Sequence, residues 1–196
     1  MKVIGLTGGI GMGKSFIANV FARHGIAFHD ADRAVHRLMG KGGRAVPAIA
    51  AAFPGVVKDG AVDRAALGAR VFHDPPALKR LEAILHPAVR QSQQDFLKRQ
   101  RRAGKSLAVL DVPLLLETGN AAGADHVVVA SAPRAIQQRR VLQRRGMTPA
   151  KLDAIRGQQM SDAEKRRRAD VVIDTGLSRH HTLSQVRRLL AQLRAT

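Results

Sequence analysis

The chain contains no cysteine, no tryptophan and no tyrosine. Without cysteine there is no disulfide framework, no thiolate metal site and no cysteine nucleophile, so any chemistry falls to oxygen and nitrogen groups. Six phenylalanines are the whole aromatic complement, too few to build a stacking platform for single-stranded nucleic acid. Long apolar runs are missing as well. Hydrophobic residues make up 45% of the sequence, yet no run reaches the roughly 18 uninterrupted residues that a membrane span needs. The opening residues Met1 to Leu6 meet a glycine-rich stretch too early to hold the apolar core of a signal peptide. The expectation is a soluble, cytoplasmic protein with no membrane contact.

Acidic residues are scarce too: 33 Lys and Arg face 15 Asp and Glu, for a formal charge of +18. Nucleic acid is one partner that such a balance suits, and a small polyanionic substrate is another. A generic solvated surface also accounts for part of the excess. A length of 196 residues suits one α/β domain with room for a small inserted subdomain, not two independent domains.

What is present begins with Val3-Ile4-Gly5-Leu6, a short apolar run that stops at Thr7-Gly8-Gly9 in the manner of a buried strand reaching a tight turn. A helix is expected from Lys14 to about His24, closed by Gly25, with a second strand from Ile26 to His29. Strand, loop, helix and strand in this order make the βαβ unit of a parallel sheet. From about Ala31 to Arg102 the pattern reads as helical throughout, with starts at Asp63 and at Asp74-Pro75 and no strand. Further strands are expected at Leu107–Val112, His126–Ala130 and Val171–Asp174. Helices are expected from Pro133 to Arg145, after Thr148-Pro149, after Ser161 with Glu164 as a capping box, and from Ser178 to Leu193.

Gly8-Gly9-Ile10-Gly11-Met12-Gly13-Lys14-Ser15 fits G-x-x-x-x-G-K-[ST] at every defined position, after a strand and before a helix. Glycines let the backbone wrap a phosphate, and the helix behind it presents its positive end. Lys14 then reaches the β- and γ-phosphates of a nucleoside triphosphate, and the Ser15 hydroxyl can ligate Mg²⁺. Asp111, at the end of an apolar strand, stands where a carboxylate that holds Mg²⁺ directly or through water belongs, or where a turn aspartate would sit. Asp30 and Asp32 close the second strand: either one aligns or deprotonates a substrate hydroxyl, or it caps the next helix. His29, Asp30, Asp32 and His36 lack the spacing of a zinc site, and His180 and His181 are expected to face solvent. Between Ser131 and Arg168 eleven Lys or Arg stand against three Asp or Glu. Arg139, Arg140, Arg144 and Arg145 are read on one helix, with Arg156 and Lys165 to Arg168 in a helical hairpin. Such a segment suits a lid that closes cations over a transferred phosphate.

Six ordered motifs give the chain a resemblance to the dephospho-coenzyme A kinase family over nearly its whole length. They are Leu6 to Ser15, Asp30-Ala31-Asp32, Leu85-His86-Pro87, Asp111-Val112-Pro113-Leu114-Leu115-Leu116-Glu117, the run from Arg140 and Arg144 through Gly146-Met147-Thr148 to Gln159 and Lys165, and Ala169-Asp170 with Ile173-Asp174-Thr175-Gly176. Met12, Phe16 and Thr175 depart from the family pattern, where serine, threonine and often asparagine stand. The resemblance implies a P-loop kinase core with a five-stranded parallel sheet, a helical acceptor-binding insertion at about 31–105 and a helical lid at about 140–168, in a single domain spanning 1–196. It implies ATP and dephospho-coenzyme A as substrates, Mg²⁺ as cofactor, no specific nucleic acid, and a monomer or weak homo-oligomer. Residue by residue, it implies Asp32, Lys14, Arg140 and Arg144 as catalytic groups. Gly8, Gly9, Ile10, Gly11, Met12, Gly13, Lys14 and Ser15 become the ATP-binding loop. Thr7, Asp32, His86, Pro113, Leu114 and Glu117 become acceptor-binding residues, and Ser15 and Asp111 the metal ligands. Two other readings stay open on the residues alone: a P-loop kinase for a nucleoside monophosphate or small metabolite, and an ATP-switched nucleic-acid-binding protein.

Overall fold

A computed structural model describes residues 1–117 and 123–195. The chain divides into two compact units, Met1–His29 with Gln100–Thr196, and Asp30–Arg99.

The first unit is built on parallel strands β1 (Lys2–Thr7), β2 (Ala27–Asp30), β5 (Leu107–Asp111), β6 (His126–Ser131) and β7 (Val171–Asp174), in the order β2-β5-β1-β6-β7. β1 lies at the centre, with Leu6 beside Asp111 of β5 and beside Val128 of β6. Central strands of a parallel sheet are covered on both faces and so read as continuous apolar runs rather than alternations. Accordingly all five residues of β5 are buried, as are five of the six in β1. Helix α1 (Lys14–Arg23) sets Ile17, Val20 and Phe21 into the core, and α9 (Arg179–Ala195) adds Val186, Leu189, Leu190 and Leu193. These residues join Ile4, Leu6, Val109, Val128 and Ile173 in one hydrophobic cluster. Phe21 is fully buried in it, and its truncation to alanine removes about 3–5 kcal/mol.

Between β6 and β7 lie α6 (Arg134–Leu142), α7 (Pro149–Gly157) and α8 (Asp162–Arg167). The Thr148 hydroxyl caps α7 by accepting the Lys151 N–H, and the Ser161 hydroxyl caps α8 by accepting the Glu164 N–H. α6 stops at Leu142, short of the expected Arg145: Arg144 and Arg145 lie in the turn that follows, which Gly146 completes at φ 75°.

The second unit comprises α2 (Ala31–Met39), α3 (Val46–Ala52), β3 (Val57–Lys58), β4 (Ala61–Val62), α4 (Arg64–Val71) and most of α5 (Pro75–Arg102). Its own cluster gathers Leu38, Ile49, Phe53, Val56, Val62, Leu67 and Leu81. The expectation of an uninterrupted helical stretch is corrected here, because β3 and β4 pair as an antiparallel hairpin. The cause is local: Asp59 and Gly60 both take positive φ, 50° and 76°, as the two central residues of a tight hairpin turn require. Strands of two residues are too short to show a period. Asp63 then caps α4 by accepting from the Ala65 and Ala66 N–H groups. Among the described residues no helix is long and apolar enough to cross a membrane.

Candidate active site

The site starts where β1 ends. Residues 8–13 form a loop, and α1 begins at Lys14 with no side-chain cap on its first turn and no acidic residue there. The unsatisfied N–H groups and positive dipole end of that helix therefore stay open to an anion. Gly13 shows why the loop must be glycine: at φ 84° an added Cβ would lie 2.6 Å from the Thr175 hydroxyl oxygen. Thr175 is buried and follows β7 directly. Its hydroxyl donates to the Met12 carbonyl at 2.7 Å and accepts from the Arg140 guanidinium at 2.9 Å, while Arg140 also donates to the Thr175 carbonyl at 2.5 Å. Threonine thus braces the phosphate loop from below, and Arg140 is fixed beside it.

The ammonium of Lys14 pairs with the Asp111 carboxylate. Register explains the meeting: Asp111 lies opposite Leu6 on the neighbouring strand, so both loops leave the sheet at the same end. Six residues on, Glu117 accepts from Lys165 at 2.6 Å and from the Met160 N–H at 3.1 Å through one carboxylate oxygen. The second oxygen is buried without a hydrogen-bond partner among the described residues. Lys165, read from sequence as a lid cation, is instead only 1% exposed. A buried ammonium needs an anionic partner, and Glu117 supplies it. Thr7, fully buried, donates its hydroxyl to the Pro113 carbonyl at 2.9 Å. Leu114 is exposed.

Two glutamines hold the outer side of the loop. The Gln137 amide donates to the Ile10 carbonyl at 2.8 Å, and the Gln159 side-chain oxygen accepts the Ile10 N–H at 3.1 Å. Arg156 donates twice to the Gln137 oxygen, at 3.0 and 2.8 Å. These residues border a cavity of about 670 Å³ also lined by Gly9, Met12, Arg134, Asp162 and Lys165. Sequence reasoning gave Gln137 no role. The available signal was its spacing: it lies four residues before Val141, the buried apolar residue of α6, and an amide on the inward face of an arginine-rich helix needs partners.

The remaining residues fall in the second unit or outside these contacts. Asp32 is not at the end of β2 but in the first turn of α2; Asp30 ends the strand and caps the helix, accepting the Arg33 N–H at 2.9 Å. Asp32 is exposed, and no hydrogen bond or ion pair holds its carboxylate among the described residues. His86 is exposed in the middle of α5, next to Pro87, which has no N–H to offer the preceding turn. Arg144 and Ser15 are exposed, and His180 and His181 face solvent at the start of α9.

The model of the family described as dephospho-CoA kinase matches residues 2–179, and so takes in both units. The chain belongs to the dephospho-CoA kinase family. Among curated relatives of this kinase family, a dephospho-CoA kinase from Mesorhizobium japonicum is 55% identical over 194 residues, covering 99% of this chain and 98% of the relative. A crystal structure from Thermus thermophilus superposes with a TM-score of 0.85 at 34% identity, covering 98% of this chain and 97% of that one. The dephospho-CoA kinase from Campylobacter jejuni shares the fold at a TM-score of 0.69 and 21% identity, covering 98% and 97%.

Proposed function

We propose the following division of labour for a kinase that transfers the γ-phosphate of ATP to the ribose 3′-hydroxyl of dephospho-coenzyme A, the last step of coenzyme A biosynthesis. The observation that carries it is the pairing of Lys14 with Asp111 at the mouth of the Gly8–Ser15 loop. A lysine held there by a carboxylate is aimed at the loop's contents and exchanges its partner for phosphate oxygens when ATP arrives. The N–H groups of Gly11, Gly13, Lys14 and Ser15 then donate to the β- and γ-phosphates, while those of Ile10 and Met12 are held by Gln159 and by the Gly9 carbonyl. Arg140, already fixed beside the loop, adds positive charge where negative charge develops, and Arg144 joins it from the turn after α6. The segment 140–168 serves as the lid.

Mg²⁺ accompanies ATP in this chemistry. The chain offers what it prefers, hard oxygen donors, in the Ser15 hydroxyl and the Asp111 carboxylate. Bound there, the ion would neutralise phosphate charge. On the acceptor side Asp32 takes the proton from, or aligns, the attacking hydroxyl, a role its exposed and untethered carboxylate suits. His86 contacts the acceptor from α5. Thr7, by fixing Pro113, sets the turn that offers Leu114, and Glu117 anchors the end of that run. The excess positive charge serves polyanionic substrates, with no specific nucleic acid required, and the protein works in the cytoplasm as a monomer or weak homo-oligomer.

The test is a coupled ADP-release assay with Mg-ATP and dephospho-coenzyme A, run beside adenosine, AMP and shikimate. Turnover is expected with dephospho-coenzyme A. Turnover with AMP and none with dephospho-coenzyme A would overturn the reading.

A further inference from the structure

We propose that Gln137 and Gln159 are a pair of positioning residues that hold the Ile10 main chain, one by its C=O and the other by its N–H, and so tie α6 and the turn between α7 and α8 to the shape of the phosphate loop. The inference rests on the donor-site reading above and concerns how that site is kept in shape. Phosphate loops have little conformational preference of their own: Gly8, Gly11 and Gly13 all take positive φ, and glycine resists no neighbouring conformation. An external hold is needed if the loop N–H groups are to be set before the phosphates arrive.

The polarity of the two contacts is fixed by chemistry. Ile10 N–H can only donate, so Gln159 must present its oxygen. Ile10 C=O can only accept, so Gln137 must present its NH₂. The Gln137 oxygen is left for Arg156, which takes it with Nε and one terminal nitrogen, while the other terminal nitrogen holds Asp153 at 3.1 Å. Gln137 is 6% exposed, so its hydrogen bonds are made away from competing water. Gly9 sits against both side chains: an added Cβ would be 3.3 Å from the Gln159 oxygen and 3.7 Å from the Gln137 nitrogen.

Gln159 is itself anchored. The N–H of the next residue, Met160, and the buried Lys165 both donate to Glu117, on the run that leaves β5 after Asp111. A movement of 159–165 is therefore felt at the Ile10 peptide and at the Asp111–Glu117 run together. Phosphate binding through Lys14, Ser15 and the start of α1 does not pass through these contacts. Loss of the grip should thus cost the transfer step more than ATP binding.

The two glutamines respond oppositely to the same substitution, and that asymmetry is the test. Gln159→Met keeps the shape and removes the acceptor. It should lower kcat by about tenfold with the ATP KM changed less than about threefold, and the Ile10 amide should lose its hydrogen-exchange protection. Gln159→Glu keeps an acceptor, so amide protection and most of kcat should survive while its charge raises the ATP KM. Gln137→Glu turns a donor into an acceptor facing the Ile10 carbonyl. Its kcat should fall by about tenfold or more although Arg156 still holds the side chain and the melting temperature stays near that of the wild type. Equal behaviour of the two glutamate variants, or an Ile10 amide as protected in Gln159→Met as in the wild type, overturns the proposal. Exchange is measured on the ligand-free chain and needs no turnover. An inactive wild type would therefore sink the kinase reading alone, and an unprotected Ile10 amide in the wild type would sink the grip alone.

Discussion

Two lysine–carboxylate pairs stand six residues apart on the run that leaves β5, and they differ in exposure. Lys14 with Asp111 retains 18% and 8% of side-chain exposure; Lys165 with Glu117 retains 1% and 16%. The first ammonium can reach another anion, and the second cannot. Both arise from the same sheet topology, so the functional difference lies in what covers each lysine. A pair at the mouth of a loop is an exchangeable partner, whereas a pair sealed under α8 is a structural tie whose loss strands a charge.

The largest effect should come from breaking the exchangeable pair. Lys14→Met is expected to lower kcat/KM by a factor on the order of 10³ or more, as for removal of a donor aimed at developing charge. Stability should fall as well, because Lys14→Met takes the ammonium away from an Asp111 side chain only 8% exposed, but the activity loss should persist in the folded fraction. A large loss of stability with activity retained in the folded fraction would erase the distinction between the pairs.

Breaking the sealed pair should act on stability with far less effect on the activity of the folded fraction. Lys165→Met removes the cation from Glu117, whose side chain is 16% exposed with one oxygen buried, at a cost of about 3–5 kcal/mol, read from urea unfolding. The double change Lys165→Met with Glu117→Gln removes the stranded charge yet keeps an acceptor for the Met160 N–H, and much of the loss should return. A double variant no more stable than Lys165→Met would mean that packing of the lysine stem, not charge, sets the cost.

How much of this was legible in the sequence follows the range of the interaction. The phosphate loop, the caps at Asp63, Thr148 and Ser161, and the strands of the parallel sheet are set within a few residues of themselves, and the sequence shows them. Lys165 was not legible: it opens a run of four basic residues, and its partner is 48 positions away. The β3–β4 hairpin was missed for the opposite reason, since its signal is confined to Asp59-Gly60 and the strands are too short to carry one. Asp30 and Asp32 were inseparable by composition, and only the backbone shows that Asp30 spends its carboxylate on the Arg33 N–H.

Asp32 sharpens the comparison as a carboxylate with no cation and no cap to hold among the described residues. Asp32→Asn should lower kcat by a factor on the order of 10² while leaving ATP affinity and unfolding free energy near wild type. An equal fall in ATP affinity would make it part of the metal or nucleotide site instead.

The smallest effect belongs to Asp63, where a carboxylate is tied mainly to backbone rather than to a lysine. The Ala66 N–H first, and the Lys58 ammonium at 3.3 Å second, hold its pKa below the ordinary 3.8. A carboxylate whose pKa is lower folded than unfolded stabilises the fold above the unfolded value, and that contribution is lost as pH falls through the folded value. Asp63→Asn keeps a capping oxygen for α4 and removes only the charge. At pH 7 the variant should therefore melt slightly below the wild type. The gap should narrow below pH 4 and close once the wild-type carboxyl is protonated. A gap that stays constant down to pH 2 would assign the effect to cap geometry, and leave Lys58 without a share in it.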